Sequence, residues 1–567
     1  MSTRFIKIFK SYSRREQLVL FSALAVFVIT SAFLSVDYID RNTTLVPVAG
    51  GDYKEGMIGQ PAFVNPVLVG ASDPDRDLTE ILFSNVLDMT QGYKVATDGK
   101  TWNLRLKEGI VWDDGQPITS DDVIFTIQSI QNPDSRSSLL SLWQGVQAER
   151  VSEREIKIVL PSPYVFFDDN LKELRPIPKH IFGSLPVANL RLSNYNLEPI
   201  GSGPFKFDSF KKRNDGFITR YNLVRNDKYF GARPYLDSFA VSFYEDAKKL
   251  LEAVNQGAVD GTGGLPYSAL QEVMVRHQSF SFLLPKYYGI FFNSDANAVL
   301  AEKNVRLALS YAVDKNEIAE KVLLGGAAVV SGPLLPGMDG YSAKSSPKEE
   351  FSLERANQIL DSSGWQMGAD GVRVKDLSPS ESAKGAKSKA VKPAPSRLEF
   401  TMVVPDTKFL VDAANLIVGY FSKIGVRLNL NVVASNDIEN SALRNRNYEM
   451  LMFGNAFGNN SDLFSFWHSS ESAYPGLNLA LYSNQTADAL IEATRKDFDL
   501  EARQIDFANL QSLIVGDAPA IFLFSPYYTY VAESSLGGLE EGFIPLASYR
   551  FQNIPGWYVR TARSFNR

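Results

Sequence analysis

The chain has 567 residues, 45% hydrophobic and 22% charged, a composition that excludes a long disordered stalk and allows a sizeable buried core. Its formal net charge is −6, and the first seventeen residues carry five basic side chains and one acidic, which leaves −10 on the remainder and argues against a nucleic-acid partner. Cysteine is absent, so disulfides, thiol catalysis, cysteine zinc sites and lipid on an N-terminal cysteine are excluded; His180, His277 and His468 lie too far apart for metal-ligand spacing, and no metal or other cofactor is expected.

Arg4, Lys7, Lys10, Arg14 and Arg15 precede nineteen uncharged residues, Leu18 to Val36. As a helix that run rises about 28 Å, close to the roughly 30 Å hydrocarbon core of a bilayer. The basic flank predicts a cytoplasmic segment at 1–17, a transmembrane anchor at 18–36 and an extracytoplasmic body. Thr30-Ser31-Ala32 also resembles a signal cleavage site. The apolar run is longer than a usual signal core and continues through Phe33, Leu34 and Val36, so an uncleaved anchor is expected, with a cleaved signal peptide as the alternative.

Residues 37–54, with Gly50 and Gly51, read as a linker. Thr79 to Leu87 suggests a helix, and Thr101 to Leu106 alternates as a half-buried strand. Asp114-Gly115 and Pro117 mark turns. Thr119 with Asp122 predicts a capping box, opening a helix that buries Val123, Ile124, Ile127 and Ile130. Arg154 to Leu160 is a second alternating strand, ended by Pro161 and Pro163. Ile200 to Phe207, IGSGPFKF, lacks the GK[ST] of a phosphate loop and reads as a tight turn needing positive φ, with an anion cradle as the alternative.

The character changes at Tyr287 to Ser294, an aromatic strand followed by helices. Asp314 and Glu317 suggest another capping box, with Gly325-Gly326 as the stop. Residues 377–397 hold five basic residues, one acid and three prolines, and read as a mobile loop. Leu398 to Val404, Phe409 to Ile424 and Val426 to Val432 form a βαβ pattern, which predicts two parallel strands and a right-handed crossover. Thr486 to Asp499 and Glu501 to Val515 read as helices and Ala520 to Phe524 as a strand.

Four segments then stand out by their order and spacing: TWNLRLKEGIVWDDGQPITSDDVIFT; IGSGPFKF with LVRNDKYF beyond it; YYGIFFNS followed by NVRLALSYAVDKNEIAEKVLLGGA; and NLALYSNQTADALI. Over about Met57 to Val531 the chain resembles the extracellular solute-binding proteins of family 5, the oligopeptide, dipeptide and nickel binding components of ABC importers. The resemblance implies a mixed α/β, two-lobed, type II periplasmic-binding-protein-like fold with a strand-rich extra subdomain. Lobe I is expected at 55–288, lobe II at 289–518, a return to lobe I at 519–567, and a hinge near Gly289 to Ser294. It also implies capture of a peptide-like solute between the lobes through strand edges, delivery to an ABC permease and ATPase complex, a monomeric body and no catalysis.

The candidate ligand contacts are Tyr287, Tyr288, Phe291 and Asn293 near the hinge, Phe457, Asn459, Asp462, Phe466 and Trp467 after the strand YEMLMFG, and Asn65 in FVNPVL. Core packing or a turn is the ordinary alternative for each. In peptide-binding relatives an aspartate holds the ligand's α-ammonium where Asn459 stands here, which leaves two alternatives: Asp462, three residues on, supplies the charge, or the ligand lacks a free amine at that place. Two other readings stand beside this one: a non-transport envelope receptor or assembly factor on the same fold, and an extracellular hydrolase using paired carboxylates. No GxSxG, HExxH or phosphate-loop motif supports the hydrolase. An uncleaved helix would serve as the tether, keeping the binder at high effective concentration beside its membrane partner.

Overall fold

The structure, a computed structural model, describes residues 12–344, 350–375 and 395–565. Arg4, Lys7 and Lys10 and most of the basic insert, 376–394, lie outside the described residues; the end of that insert, Ser396–Arg397, is a short strand.

The apolar run lies in a helix, Arg14–Asn42, that opens on a capping box of Ser13 with Glu16 and buries none of its residues against the body. The predicted linker takes a different form. Strand β1, Thr43–Pro47, starts directly after the helix, and β2 is Asp52–Ile58. TTLVP is rich in β-branched residues, and Gly50 and Gly51, at φ 122° and 102°, turn the chain between two strands.

The helix predicted at Thr79 to Leu87 is displaced to Asp73–Leu82, capped by Ser72 and with Pro74 in its first turn. It stops because the amides of Ser202 and Gly203 take the carbonyl of Leu82 at 3.0 and 2.8 Å. This contact also corrects the reading of IGSGPFKF. Positive φ is not the requirement there, since the described positive-φ glycines include neither Gly201 nor Gly203. A Cβ on Gly201 would stand 2.2 Å from the carbonyl oxygen of Leu82, and one on Gly203 2.4 Å from that of Ile81. Gly203→Ala is therefore expected to cost about 1–3 kcal/mol by pushing two backbone segments apart, read as a lower urea midpoint with unchanged slope.

The strands continue as β3 Thr90–Val95, β4 Thr101–Leu106, β5 Gln147–Arg150, β6 Glu155–Val159, β7 Phe205–Lys212, β8 Ile218–Arg225, β9 Ser238–Tyr244, β10 Gly261–Gly263, β11 His277–Leu283, β12 Lys286–Phe292 and β13 Ala327–Val329. After them come β14 Gln366–Met367, β15 Arg373–Lys375, β16 Ser396–Arg397, β17 Glu399–Pro405, β18 Arg427–Val433, β19 Met450–Ala456, β20 Ala520–Pro526, β21 Tyr528–Glu533, β22 Gly542–Phe543 and β23 Thr561–Phe565.

Among the described residues two large sheets define two bodies. One has the order β22-β11-β21-β10-β2-β9-β8-β7, with the separate antiparallel sheet β3-β4-β6-β5 as its extra subdomain; the other has the order β13-β20-β12-β19-β17-β18. The capping box of Thr119 and Asp122 opens the helix Ser120–Gln131, which buries Val123, Ile127 and Ile130. In the second body β17 and β18 are parallel around the helix Lys408–Ser422, as the βαβ pattern requires. Asp314 makes half of its expected box: it accepts from the Glu317 amide, while the Glu317 carboxylate binds Lys321 and Tyr420.

The lobe boundaries fall elsewhere than expected. β12 lies wholly in the second sheet, so the first crossing is at Leu284-Pro285 and not at Gly289 to Ser294. β20 belongs to the second sheet and β21 to the first, so the return begins after Pro526 and not at 519. Gly289 instead allows β12 to press on β20, where an added Cβ would meet the Ile521 carbonyl oxygen at 2.8 Å.

Both faces of the second sheet are covered. Tyr288, Ile290, Phe292, Met402 and Met450 pack on one side, and Tyr287, Phe291, Val403 and Leu451 on the other. The alternation along β12 follows from the period of a strand.

Candidate binding cleft

Two cavities lie in the seam between the lobes. The first, of about 340 Å³, is lined by Asp169, Lys172, Tyr549 and Gln552 from the first body and by Asp339 and Asn459 from the second. The other, of about 390 Å³, adds Trp102, Phe166, Phe498 and Arg503 and shares Asp169, Lys172 and Asp339 with it. Lys172 reaches Asp169 at 2.7 Å and Asp168 at 3.5 Å, and Arg503 reaches Asp339 at 3.2 Å. Burial pushes the Asp169 carboxyl up, against the pull of Lys172.

Asn459 sits in this wall. Its amide nitrogen donates to the Tyr549 hydroxyl at 3.2 Å, whereas its buried Oδ1 has no hydrogen-bond partner. A buried acceptor without a donor carries a desolvation cost of about 1–3 kcal/mol unless something fills it. An N–H from a molecule in the cavity would do so.

Asp462 is engaged otherwise. Its Oδ2 accepts from the Tyr164 hydroxyl at 3.1 Å and from Arg495 Nε at 3.0 Å, and its Oδ1 accepts from the Phe464 amide at 3.0 Å. Asn460 donates to the same Tyr164 hydroxyl at 3.2 Å, and the Val165 amide donates to the Arg495 carbonyl at 2.9 Å. Arg495 also lies over the Phe464 ring at 4.4 Å. Tyr164 and Val165 follow β6 in the first body, while Asp462 and Arg495 belong to the second, so these contacts form a clasp across the seam. Burial, then the Asp462 charge, pushes the Tyr164 hydroxyl pKa well up, which keeps it a donor.

The other sequence candidates lie elsewhere. Tyr287 is buried, accepts from Asn455 at 3.1 Å and packs on Phe457 and Phe522. The Phe457 and Phe466 rings meet at a tilt with centroids 4.5 Å apart, and Phe291 meets Trp467 at 6.4 Å, all in one core cluster. Tyr288 faces the opposite side, between Phe409 and Phe524. Asn293 accepts from the amides of Asp295 and Ala296, and Asn65 accepts from Val67 and donates to Asn196, so both order turns. The seam brings together Asn459 with Asp462 beside it. Sequence reasoning missed Asp169, Lys172, Asp339, Arg503 and Tyr549, which come from remote segments and share no periodicity or motif.

A further cavity of about 350 Å³ adjoins Tyr549 within the first body, lined by Arg76, Glu80, Glu173 and Arg175 among others. Arg175 is ion-paired with Glu80. Burial pushes the Glu173 carboxyl up to about 7, with Arg175 opposing. The folded state therefore keeps a proton that the unfolded chain has lost, and the stability due to Glu173 falls as pH rises from about 4.5 to 7. Glu173→Gln is expected to gain up to about 3 kcal/mol over the parent at pH 8 and nothing at pH 4, measured by urea unfolding at both.

Residues 86–475 match the family model described as bacterial extracellular solute-binding proteins, family 5 Middle. The oligopeptide-binding protein AppA of Bacillus subtilis is 27% identical over 532 residues, spanning 90% of this chain and 92% of AppA. The structure of that AppA in complex with a nonapeptide aligns at a TM-score of 0.63 and 26% identity, covering 91% of this chain and 100% of the other. The ABC transporter substrate-binding protein CtaP of Listeria monocytogenes shares the fold, with a TM-score of 0.73 at 23% identity over 90% of this chain and 99% of CtaP. These likenesses bear out the two-lobed mixed α/β expectation, and by the match over residues 86–475 the chain belongs to the bacterial extracellular solute-binding proteins, family 5.

Proposed function

We propose that this protein is an extracytoplasmic binding protein, tethered by its uncleaved N-terminal helix, that encloses a peptide-like solute between two lobes and hands it unchanged to an ABC permease. Among the described residues, lobe I comprises 43–283 and 528–565, and lobe II 286–344, 350–375 and 395–526. The observation that carries this reading is the polar cavity walled by both lobes, in which the buried Asn459 Oδ1 lacks a donor. A peptide amide or ammonium supplies that donor. Tyr549, Lys172, Asp169 and Asp339 form the rest of the contact wall, Asp462 holds the lobes together, and the aromatic core around Tyr287, Phe291, Phe457, Phe466 and Trp467 stiffens the lobe II wall.

The relatives support the same reading, since AppA is an oligopeptide-binding protein seen with a nonapeptide. Delivery to a permease and the absence of turnover follow from this role. Calorimetric titration of the full chain in detergent with random-sequence nonapeptides tests it. Saturable one-to-one binding is expected, abolished by Asn459→Trp, which fills the cavity; no heat from any pool would overturn the proposal.

A further inference from the structure

The helix Asp73–Leu82 carries Arg76, Thr79 and Glu80 on one face, because residues three and four apart share a side of a helix. All three line the cavity of about 350 Å³ within lobe I, and so does Glu173, the last residue of the helix Phe167–Glu173. Tyr549 is common to this cavity and to the seam cavity that holds Asn459. The lobe I cavity is therefore a side chamber that meets the cleft at one ring.

Two of its four charged groups are matched. Arg175 is ion-paired with Glu80, and its other donors go to the carbonyls of Phe83 at 3.2 Å and of Lys172 and Glu173 at 3.4 Å. The other two charges are open. Arg76 donates Nε to the Gly70 carbonyl at 2.7 Å and makes no ion pair among the described residues. The Glu173 carboxylate accepts no hydrogen bond there and lies beyond ion-pair distance of Arg76, although Arg76 and Arg175 both pull its pKa down against burial and the Asp169 charge. Thr79 is 5% exposed, and its hydroxyl has no partner. Buried polar groups are normally hydrogen-bonded, so a guanidinium, a carboxylate and a hydroxyl left open around one cavity describe the group that belongs in it.

The formal charges of the wall cancel. A cationic side chain satisfies Glu173 but meets Arg76, and an acidic one satisfies Arg76 but meets Glu173. An aliphatic one desolvates all three open groups and pairs none. A primary carboxamide is neutral and offers two N–H donors beside one carbonyl acceptor. We propose that this chamber is a specificity pocket of the cleft that takes the side chain of a glutamine or asparagine in the bound peptide, its amide nitrogen donating to Glu173 and its amide oxygen accepting from Arg76. This rests on the reading of the seam as a peptide cleft.

The test is the sequence preference of what is retained. Full-length protein in detergent would be loaded with a random nonapeptide pool at pH 8, above the value of about 7 to which burial raises Glu173, then washed, and the retained peptides sequenced by tandem mass spectrometry. At one peptide position, glutamine and asparagine should be about tenfold enriched over glutamate, lysine and methionine, the ratio that one hydrogen bond to a charged group supplies. Glu173→Gln leaves the chamber with a net positive charge and should move the preference to glutamate and aspartate; its fold is expected to gain stability at this pH. Arg76→Gln leaves a net negative charge and should move the preference to lysine and arginine. Peptides retained without a carboxamide preference, or the parent's preference unchanged in either variant that folds, would overturn the pocket and leave the cleft standing. No peptide retained by the parent would overturn the cleft and the pocket together.

Discussion

Arg550→Ala is expected to lower folding stability by about 3–5 kcal/mol, the largest single-residue effect anticipated in this protein. Arg550 is 2% exposed and lies between Asp77, at 2.5 Å, and Glu55, at 3.3 Å, which are 5% and 0% exposed. Glu55 also accepts from the Tyr530 hydroxyl at 2.5 Å, and Tyr530 and Tyr53 hydroxyls meet at 2.8 Å. Burial pushes the Glu55 carboxyl up to about 7 even with the guanidinium pulling the other way. Without Arg550 two buried carboxylates lose the guanidinium that pairs with both.

The loss should be smaller at pH 5 than at pH 8, because at pH 5 Glu55 takes a proton and part of the repulsion disappears. Urea unfolding at the two pH values gives both numbers; a loss below about 1 kcal/mol at pH 8 would contradict this view of the cluster. The consequence reaches the cleft. Arg550 ties the segment Ala547–Phe551 to the helix Asp73–Leu82, and Tyr549 in that segment is the hydroxyl facing Asn459.

The second large effect is functional. Asp462→Ala removes the carboxylate that joins Tyr164 and Arg495 across the seam, a charge-assisted pair of bonds worth about 1.5–3 kcal/mol. If closure is linked to binding, peptide affinity falls about 10- to 100-fold. The inter-lobe distance distribution, measured by pulsed EPR between labels at Leu192→Cys and Ser422→Cys, should broaden toward longer values. The same variant separates the two roles that Asp462 could play. A clasp weakens binding of free and N-acetylated peptides alike, whereas an ammonium ligand matters only for the free amine. Arg495→Ala should reproduce the effect, and combining the two should add little. Unchanged affinity and distances would eliminate the clasp.

How much of this was legible in the sequence depends on the range of the interaction. The apolar helix, β4, the helix after Thr119 and the βαβ unit are written in local periodicity and caps, and they appear where expected. The hinge that the family resemblance implies at Gly289 to Ser294 lies a few residues past the sheet crossing at Leu284-Pro285, because hydrogen bonding to β19 and β20, which local sequence does not reveal, puts the aromatic strand Lys286–Phe292 wholly in the second sheet. Gly203 was recognised as special for the wrong reason, since the carbonyl it must avoid is over a hundred residues away. Local reading could not place the site at all. Asn459 emerged through family resemblance, but Lys172, Asp339 and Tyr549 become neighbours only when the lobes meet. Tyr287, Phe291, Phe457, Phe466 and Trp467 pack together on one covered face of the second sheet, a long-range arrangement that local sequence does not reveal.

The most direct test of capture between the lobes is mass spectrometry of what the protein holds. Full-length protein would be loaded with a random nonapeptide pool, washed, and released by mild denaturation, in parallel with Asn459→Trp. The account predicts that the parent retains peptides in one-to-one ratio with their masses unchanged and that the variant retains none. Shortened products, or equal retention by the variant, would contradict it.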